Sequence, residues 1–155
     1  MTATATSELR IPADPAYIVV AKRAAAGFGC VAGFGVEALD ELAIAVAQAC
    51  GNAIDCCERA GGAPGLGQIR VTFTLEDQRL EVHVRSSVRA EQAATRSAPV
   101  GQRRMETVAR LRPAPTAGAI DLALRMMGLF VDDCHYRVDA RTGGLRVRLT
   151  KYRVS

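Results

Sequence analysis

Residues 40–59 have apolar and polar side chains that repeat with a helical period. With a rotation of about 100° per residue, the apolar side chains that share one face are Leu39, Leu42, Ala43, Val46, Ala49, Cys50, Ala53 and Cys57. The polar side chains on the opposite side are Glu41, Gln48, Asn52, Asp55 and Arg59. Gln48 and Asn52 are one turn apart and point the same way. The pattern predicts a core-facing helix whose polar stripe is either solvated or part of a site.

The other patterns predict two more helices and five strands. Asp14 and Pro15 are typical of a helix start, so a first helix is expected over residues 15–27. Residues 119–131 form a second apolar pattern, in which Met126 and Met127 are expected to fill the core. Alternation with a period of two predicts hairpins over residues 69–84 and 134–152, with His83 on an exposed face. Residues 7–11 are expected to form an edge strand.

Glycines and prolines mark the connections between these elements. Residues 27–35 contain four glycines and are expected to end the first helix, although a phosphate cradle is the alternative. Residues 89–115 contain six arginines and three prolines and no sustained strand pattern, which predicts a mobile basic loop. The order of elements predicts a two-layer α/β (α+β) sandwich, with a mixed or antiparallel sheet and its helices on one face. We expect a disordered start at residues 1–6 and one domain over residues 7–153.

Composition narrows the classes of function. The 155 residues have a formal net charge of +4, and Lys22 and Lys151 are the only lysines beside many arginines. Arginine with few aromatic residues favours pairing with carboxylates or phosphates over stacking on bases, so direct nucleic-acid binding is not expected. The five cysteines include no C-x-x-C pair, which favours reduced thiols and a cytoplasmic protein. Vicinal Cys56 and Cys57 are expected to be buried structural thiols, with redox sensing as the alternative. No apolar run is long enough for a membrane span.

Several segments together give the chain a family resemblance. They occur in matching order over nearly the whole chain: LRIPADPAYIVVAKR, LAIAVAQACGNAI, LEVHVRSSV, GAIDLALRMMGLFVDDCHYRV and GGLRVRLTKY. In these segments the chain resembles the anti-sigma factor serine kinases of the RsbW and SpoIIAB type, which are small members of the GHKL (histidine kinase-like) ATPase fold. The resemblance implies an ATP and magnesium site, with residues 89–115 as the lid over ATP.

The resemblance also assigns a role to the polar stripe of the central helix. In the family, a glutamate acts there as general base, and an asparagine one turn later holds magnesium. The corresponding residues are Gln48 and Asn52. Glutamine is neutral and cannot accept a proton at physiological pH, so its presence is expected to lower the rate on the order of 10²–10⁴-fold. Asp55 or Glu41 is the substitute acid to consider.

The nucleotide-binding boxes differ from the family in a similar way. The aspartate that reads the adenine amino group is replaced by Ser86, and two glycines that follow it are replaced by Val88 and Ala90. Side chains at former glycine positions are expected to crowd the nucleotide. Two glycines match the family, Gly118 at the end of the lid and Gly144 before the last strand. Leu145 differs, because the family has threonine at this position.

These residues predict a regulatory switch protein. We expect it to bind a sigma factor or an anti-anti-sigma (STAS-type) partner, with weakened or lost ATP turnover. The alternative is an active Mg-ATP-dependent serine/threonine kinase that phosphorylates an anti-anti-sigma factor. A homodimer of the kind that the relatives form is left open, and neither nucleic acid nor membrane is an expected partner.

Overall fold

The computed structural model describes residues 4–60, 67–88, 117–139 and 144–154, and the predicted lid lies outside them. In chain order the elements are β1 (Ala5–Pro12), a 3₁₀ turn (Pro15–Tyr17), α1 (Ile18–Val31), α2 (Val36–Arg59), β2 (Gly67–Glu76), β3 (Arg79–Val88), α3 (Ala117–Met127), β4 (Asp133–Val138) and β5 (Leu145–Tyr152). The strands form one five-stranded sheet in the order β1-β2-β3-β5-β4. Every pairing in it is antiparallel. The two predicted hairpins and the edge strand are therefore confirmed.

The helices pack on one face of this sheet, as the two-layer prediction required. The central helix α2 contacts both the other helices and the strands of the sheet centre. Its fully buried residues include Leu42, Val46 and Ile54, and they meet alternate strand residues such as Phe73 and Leu149. Alternation along each strand leaves the intervening polar side chains on the opposite face of the sheet. The sheet thus has one covered face and one open face.

The first helix differs from its prediction. Asp14 caps the 3₁₀ turn by accepting a hydrogen bond from Ala16 N at 2.9 Å, but the chain stays helical past Gly27 to Val31. A Cβ atom at Gly29 would lie 2.3 Å from Leu39 Cδ2, so this glycine allows α1 to pack closely on α2. Gly33 follows the helix with φ of 77°. Gly29 therefore serves helix packing and Gly33 serves helix termination.

Three element boundaries also move. β1 begins at Ala5, paired with Leu75, so the strand includes the last two residues of the predicted disordered start. The central helix begins at Val36 rather than Asp40, and α3 ends at Met127 rather than Val131. None of the described helices is both long and apolar enough to cross a lipid bilayer.

Candidate functional site

The polar stripe of α2 faces a cavity of about 340 Å³. The lining residues from α2 are Gln48, Gly51, Asn52, Ile54 and Asp55, and those from other segments are Pro15, Ala123 and Met126. Gln48 and Asn52 are both half-buried, whereas Asp55 is exposed at the rim. The structure therefore brings together the two residues that the sequence singled out on this helix. The cavity lies between α2 and α3 rather than on an open helix surface.

Gln48 contains a buried acceptor with no partner. Its Oε1 atom is inaccessible to solvent and accepts no hydrogen bond from the described residues. Buried polar atoms are nearly always paired, because a lost partner costs about 1–3 kcal/mol. This unpartnered oxygen belongs to a side chain that lines the same cavity as Asn52. It offers no carboxylate for accepting a proton.

Glu41 is engaged in a structural ion pair. Its Oε2 atom accepts a hydrogen bond from Lys151 Nζ at 2.7 Å, and the same ammonium donates to Phe130 O at 2.9 Å. The Lys151 side chain is only 9% exposed, so these contacts are what satisfy a nearly buried charge. Sequence reasoning missed this pair, although the alternation Leu145, Val147, Leu149 already placed Lys151 on the covered face. Glu41 is not among the residues that line the cavity.

A second cavity lies at the C-terminal end of α2. It measures about 160 Å³ and is lined by residues that include Cys57, Ser86, Gly144 and Arg146. Ser86 is 5% exposed, and its Oγ atom accepts a hydrogen bond from Leu145 N at 2.8 Å. Ser86, which stands where the resemblance places an aspartate, is therefore hydrogen-bonded to the backbone of Leu145, which stands where it places a threonine. The structure brings Ser86 and Gly144 together, apart from the Gln48 cavity.

The cysteines on α2 are structural in their surroundings. None of the five cysteines forms a disulfide, and Cys50, Cys56 and Cys57 are buried. Burial raises the pKa of Cys50 to about 12. Burial also raises the pKa of Cys57, although its hydrogen bond with Ser86 opposes the shift. Thiols with raised pKa are poor nucleophiles and poor redox sensors.

Other predicted residues have mixed outcomes. His83 is exposed on the open face beside Glu81, as the alternation of the hairpin predicted. Met127 is fully buried, but Met126 is 47% exposed and lines the Gln48 cavity, so its assignment to the core was wrong. Gly118 lies in the first turn of α3.

The two cavities fit magnesium and a nucleotide unequally. Magnesium prefers oxygen ligands and usually takes part of its shell from phosphate. Gln48, Asn52 and Asp55 supply amide and carboxylate oxygens on one helix face, and the orphaned Gln48 oxygen has no competing partner. No group of three or more His, Cys, Asp or Glu side chains among the described residues forms a metal site by itself. The cavity that contains Ser86 fits a nucleotide less well, because the Ser86 hydroxyl has no charge and one of its two lone pairs already accepts the Leu145 N–H group.

The fold and the two cavities on the central helix define the class of protein. The model of the histidine kinase-like ATPase domain matches residues 11–151, and the chain belongs to this family. This result confirms the expected fold and the expected GHKL membership.

Among individual relatives, the chain is similar to serine-protein kinase RsbW. It is 26% identical to the protein of Bacillus licheniformis over 145 residues, which are 94% of this chain and 84% of the relative. It is 27% identical to the protein of Listeria monocytogenes serotype 4a over 144 residues, which are 93% of this chain and 85% of the relative. A shorter match to the Bacillus velezensis protein reaches 32% over 77 residues, half of this chain and 46% of the relative. The resemblance read from the sequence is confirmed.

Proposed function

We propose that this protein is a kinase-fold switch that regulates transcription in the cytoplasm by binding a sigma factor or an anti-anti-sigma partner, with weakened or lost ATP turnover. The observation that carries the proposal is the neutral Gln48 side chain beside Asn52 in the α2 cavity. Phosphoryl transfer to a serine hydroxyl needs a group that orients the hydroxyl and accepts its proton. The similarity to serine-protein kinase RsbW supports a role in this class of regulators.

Two neighbouring contacts support the loss of turnover. Glu41 is paired with Lys151, so using it as a base would leave a nearly buried ammonium without its carboxylate. Ser86 accepts the Leu145 N–H group with a neutral hydroxyl, which is a weaker partner for an adenine amino group than the carboxylate of the family's aspartate. We assign Asn52 as the residue that would hold magnesium, which would neutralise phosphate charge, and Ser86, Gly118 and Gly144 as the residues nearest the nucleotide.

An active serine kinase is the second candidate, and Asp55 favours it. Asp55 lines the same cavity as Asn52 and lies one turn from it on the same helix face. Its carboxylate is exposed and makes no ion pair within the described part of the chain. It is therefore free to act as a base if a substrate hydroxyl reaches the cavity.

Calorimetric titration with Mg-ATP and Mg-ADP tests the site, with Asn52→Ala as the matched variant. For a degenerate site we expect no heat at millimolar nucleotide from protein shown to be folded by circular dichroism. Micromolar binding that is lost in Asn52→Ala would overturn the degenerate-site part of the proposal.

Phosphotransfer to a STAS-domain substrate then separates the two candidates. Gln48→Glu restores a carboxylate, and any activity it shows should exceed that of the native chain by about 10²–10⁴-fold. If the native chain is active and Asp55→Asn abolishes this activity while leaving nucleotide affinity unchanged, the kinase is the correct assignment.

A further inference from the structure

One arginine from each of the five strands lies in a single row across the open face of the sheet. Arg10 in β1 is opposite Arg70 in β2, and Arg70 is opposite Arg85 in β3. Arg85 is opposite Arg146 in β5, which is opposite Arg137 in β4. We call these five residues the arginine row. All are exposed except the half-buried Arg70, and all five point away from the helices.

The charges of the arginine row are only partly compensated. Glu8 accepts from Arg10 Nε at 2.6 Å and lies 3.6 Å from Arg70 Nε. In the described residues, no carboxylate pairs with the other three members, Arg85, Arg146 and Arg137. Like charges directly opposite each other on neighbouring strands destabilise a sheet. A row that the fold itself disfavours is suited to an external anion.

A depression in the open face follows most of the arginine row. A shallow depression of about 720 Å³ covers this face, and four members of the row line it. Neighbouring strands are about 4.8 Å apart, so the row extends over about 19 Å. One turn of an α-helix rises about 5.4 Å. A helix with one acidic residue per turn would therefore bring successive carboxylates close to successive arginines, within the reach of flexible guanidinium groups.

We propose that the arginine row binds an acidic helix of a protein partner, with carboxylates spaced one turn apart. Arginine forks match carboxylates in a bidentate manner. The adjoining row consists of Glu8, Thr72, His83, Arg148 and His135. Neither row contains Phe, Tyr or Trp, and Tyr136, which also lines the depression, lies in the register position of the buried Val147, so the two rows themselves offer no platform for stacking bases. A second copy of the chain would bring the same positive row against itself.

The row lies on the sheet face opposite the Gln48 cavity, but Arg85 and Arg146 also line the cavity that contains Ser86 and Gly144, so the inference is tested on peptide binding in the absence of nucleotide. It therefore can fail while the proposed kinase-fold switch stands, or stand while that proposal fails.

The test is fluorescence anisotropy with a labelled alanine-based peptide of about 18 residues, long enough to be helical, that has one glutamate per turn. Arg85→Glu/Arg137→Glu places each new carboxylate opposite a remaining arginine and so keeps the fold. Lys22→Glu/Arg23→Glu makes the same change in net charge on the exposed surface of α1. At about 150 mM salt we expect about tenfold weaker binding for the row variant and a change below about twofold for the α1 variant.

Two comparison probes distinguish the alternatives. A peptide of equal composition with its glutamates in one block should bind more weakly than the spaced peptide, and a thymidine oligonucleotide of equal charge should bind no more tightly. The inference is wrong if the native chain does not bind the spaced peptide, or if both double variants lose binding equally. It is also wrong if the oligonucleotide binds more tightly through the row, or if Arg85→Glu/Arg137→Glu dissociates a dimer of the native chain in sedimentation.

Discussion

Replacing Arg146 by glutamate is expected to stabilise the fold, although it removes a member of the arginine row. Arg146 is in β5, between Arg85 in β3 on one side and Arg137 in β4 on the other. Both neighbours are exposed and lack an ion-pair partner within the described residues. The substitution Arg146→Glu converts two repulsive cross-strand pairs into two attractive ones. Most surface substitutions destabilise or are neutral, so a gain in stability is a distinctive outcome.

The size of the gain follows from the number of pairs and their exposure. A cross-strand pair of opposite charges contributes roughly 0.2–1 kcal/mol, and like charges cost a comparable amount. All three side chains are exposed, so solvent screening favours the low end of this range. The two converted pairs together should add about 1 kcal/mol to the free energy of unfolding. For a chain of this length, that corresponds to a rise in Tm of about 2–4 °C.

Thermal melts followed by circular dichroism at low and high salt measure this effect. Arg146→Gln removes the repulsion without adding attraction and should give about half of the rise. Arg148→Glu is the matched control, because it lies on the same strand and face but opposite His83 and His135 instead of arginines. At about 1 M salt the screening length falls to about 3 Å, so the gain should nearly vanish. A lower Tm for Arg146→Glu, or an equal gain at high salt, would refute the electrostatic argument.

Two further predictions concern buried groups. Glu41→Gln leaves the nearly buried Lys151 ammonium without its carboxylate and should lower the free energy of unfolding, measured in urea, by about 1–3 kcal/mol. Adding Lys151→Met should recover most of this loss. If the costs of the two substitutions are fully additive, the two side chains are not paired. Burial raises the pKa of Cys50 from 9.0 to about 12, so the unfolded state releases this proton at lower pH than the folded state. Stability due to Cys50 is therefore complete below about pH 9 and falls as pH rises towards 12, and Cys50→Ala should flatten this part of the pH profile of urea unfolding.

The fold was predictable because its patterns are strong and local. The periodicity of α2 and the alternation of the hairpins depend only on which side chains must be buried. The end of α1 was missed because glycine is ambiguous: at Gly29 it permits close packing against Leu39, a contact with a different helix. Only Gly33, with its positive φ, is the terminator that the sequence rule describes. Local rules cannot distinguish these two uses of one residue type.

The site was predictable in its members but not in their contacts. The helical period alone placed Gln48 and Asn52 on one face, and both line the same cavity. The partners of Glu41 and Ser86 come from segments distant in sequence, Lys151 and Leu145. Such long-range pairs depend on the register of β5 against β3, which no single strand pattern specifies. The arginine row escaped notice for the same reason, since it exists only once all five strands are aligned.

The two faces of the molecule use their polar residues in opposite ways. On the covered side, Ser86 is hydrogen-bonded to Leu145 and Glu41 to Lys151, so these polar groups stabilise the fold itself. On the open side, the arginine row makes no such bond beyond those to Glu8 within the described residues, and its facing like charges are expected to raise the free energy of the folded state. Uncompensated electrostatic repulsion within the fold is typical of a binding surface whose partner is absent. The open face, more than the Gln48 cavity, is therefore where the recognition chemistry of this chain is expected.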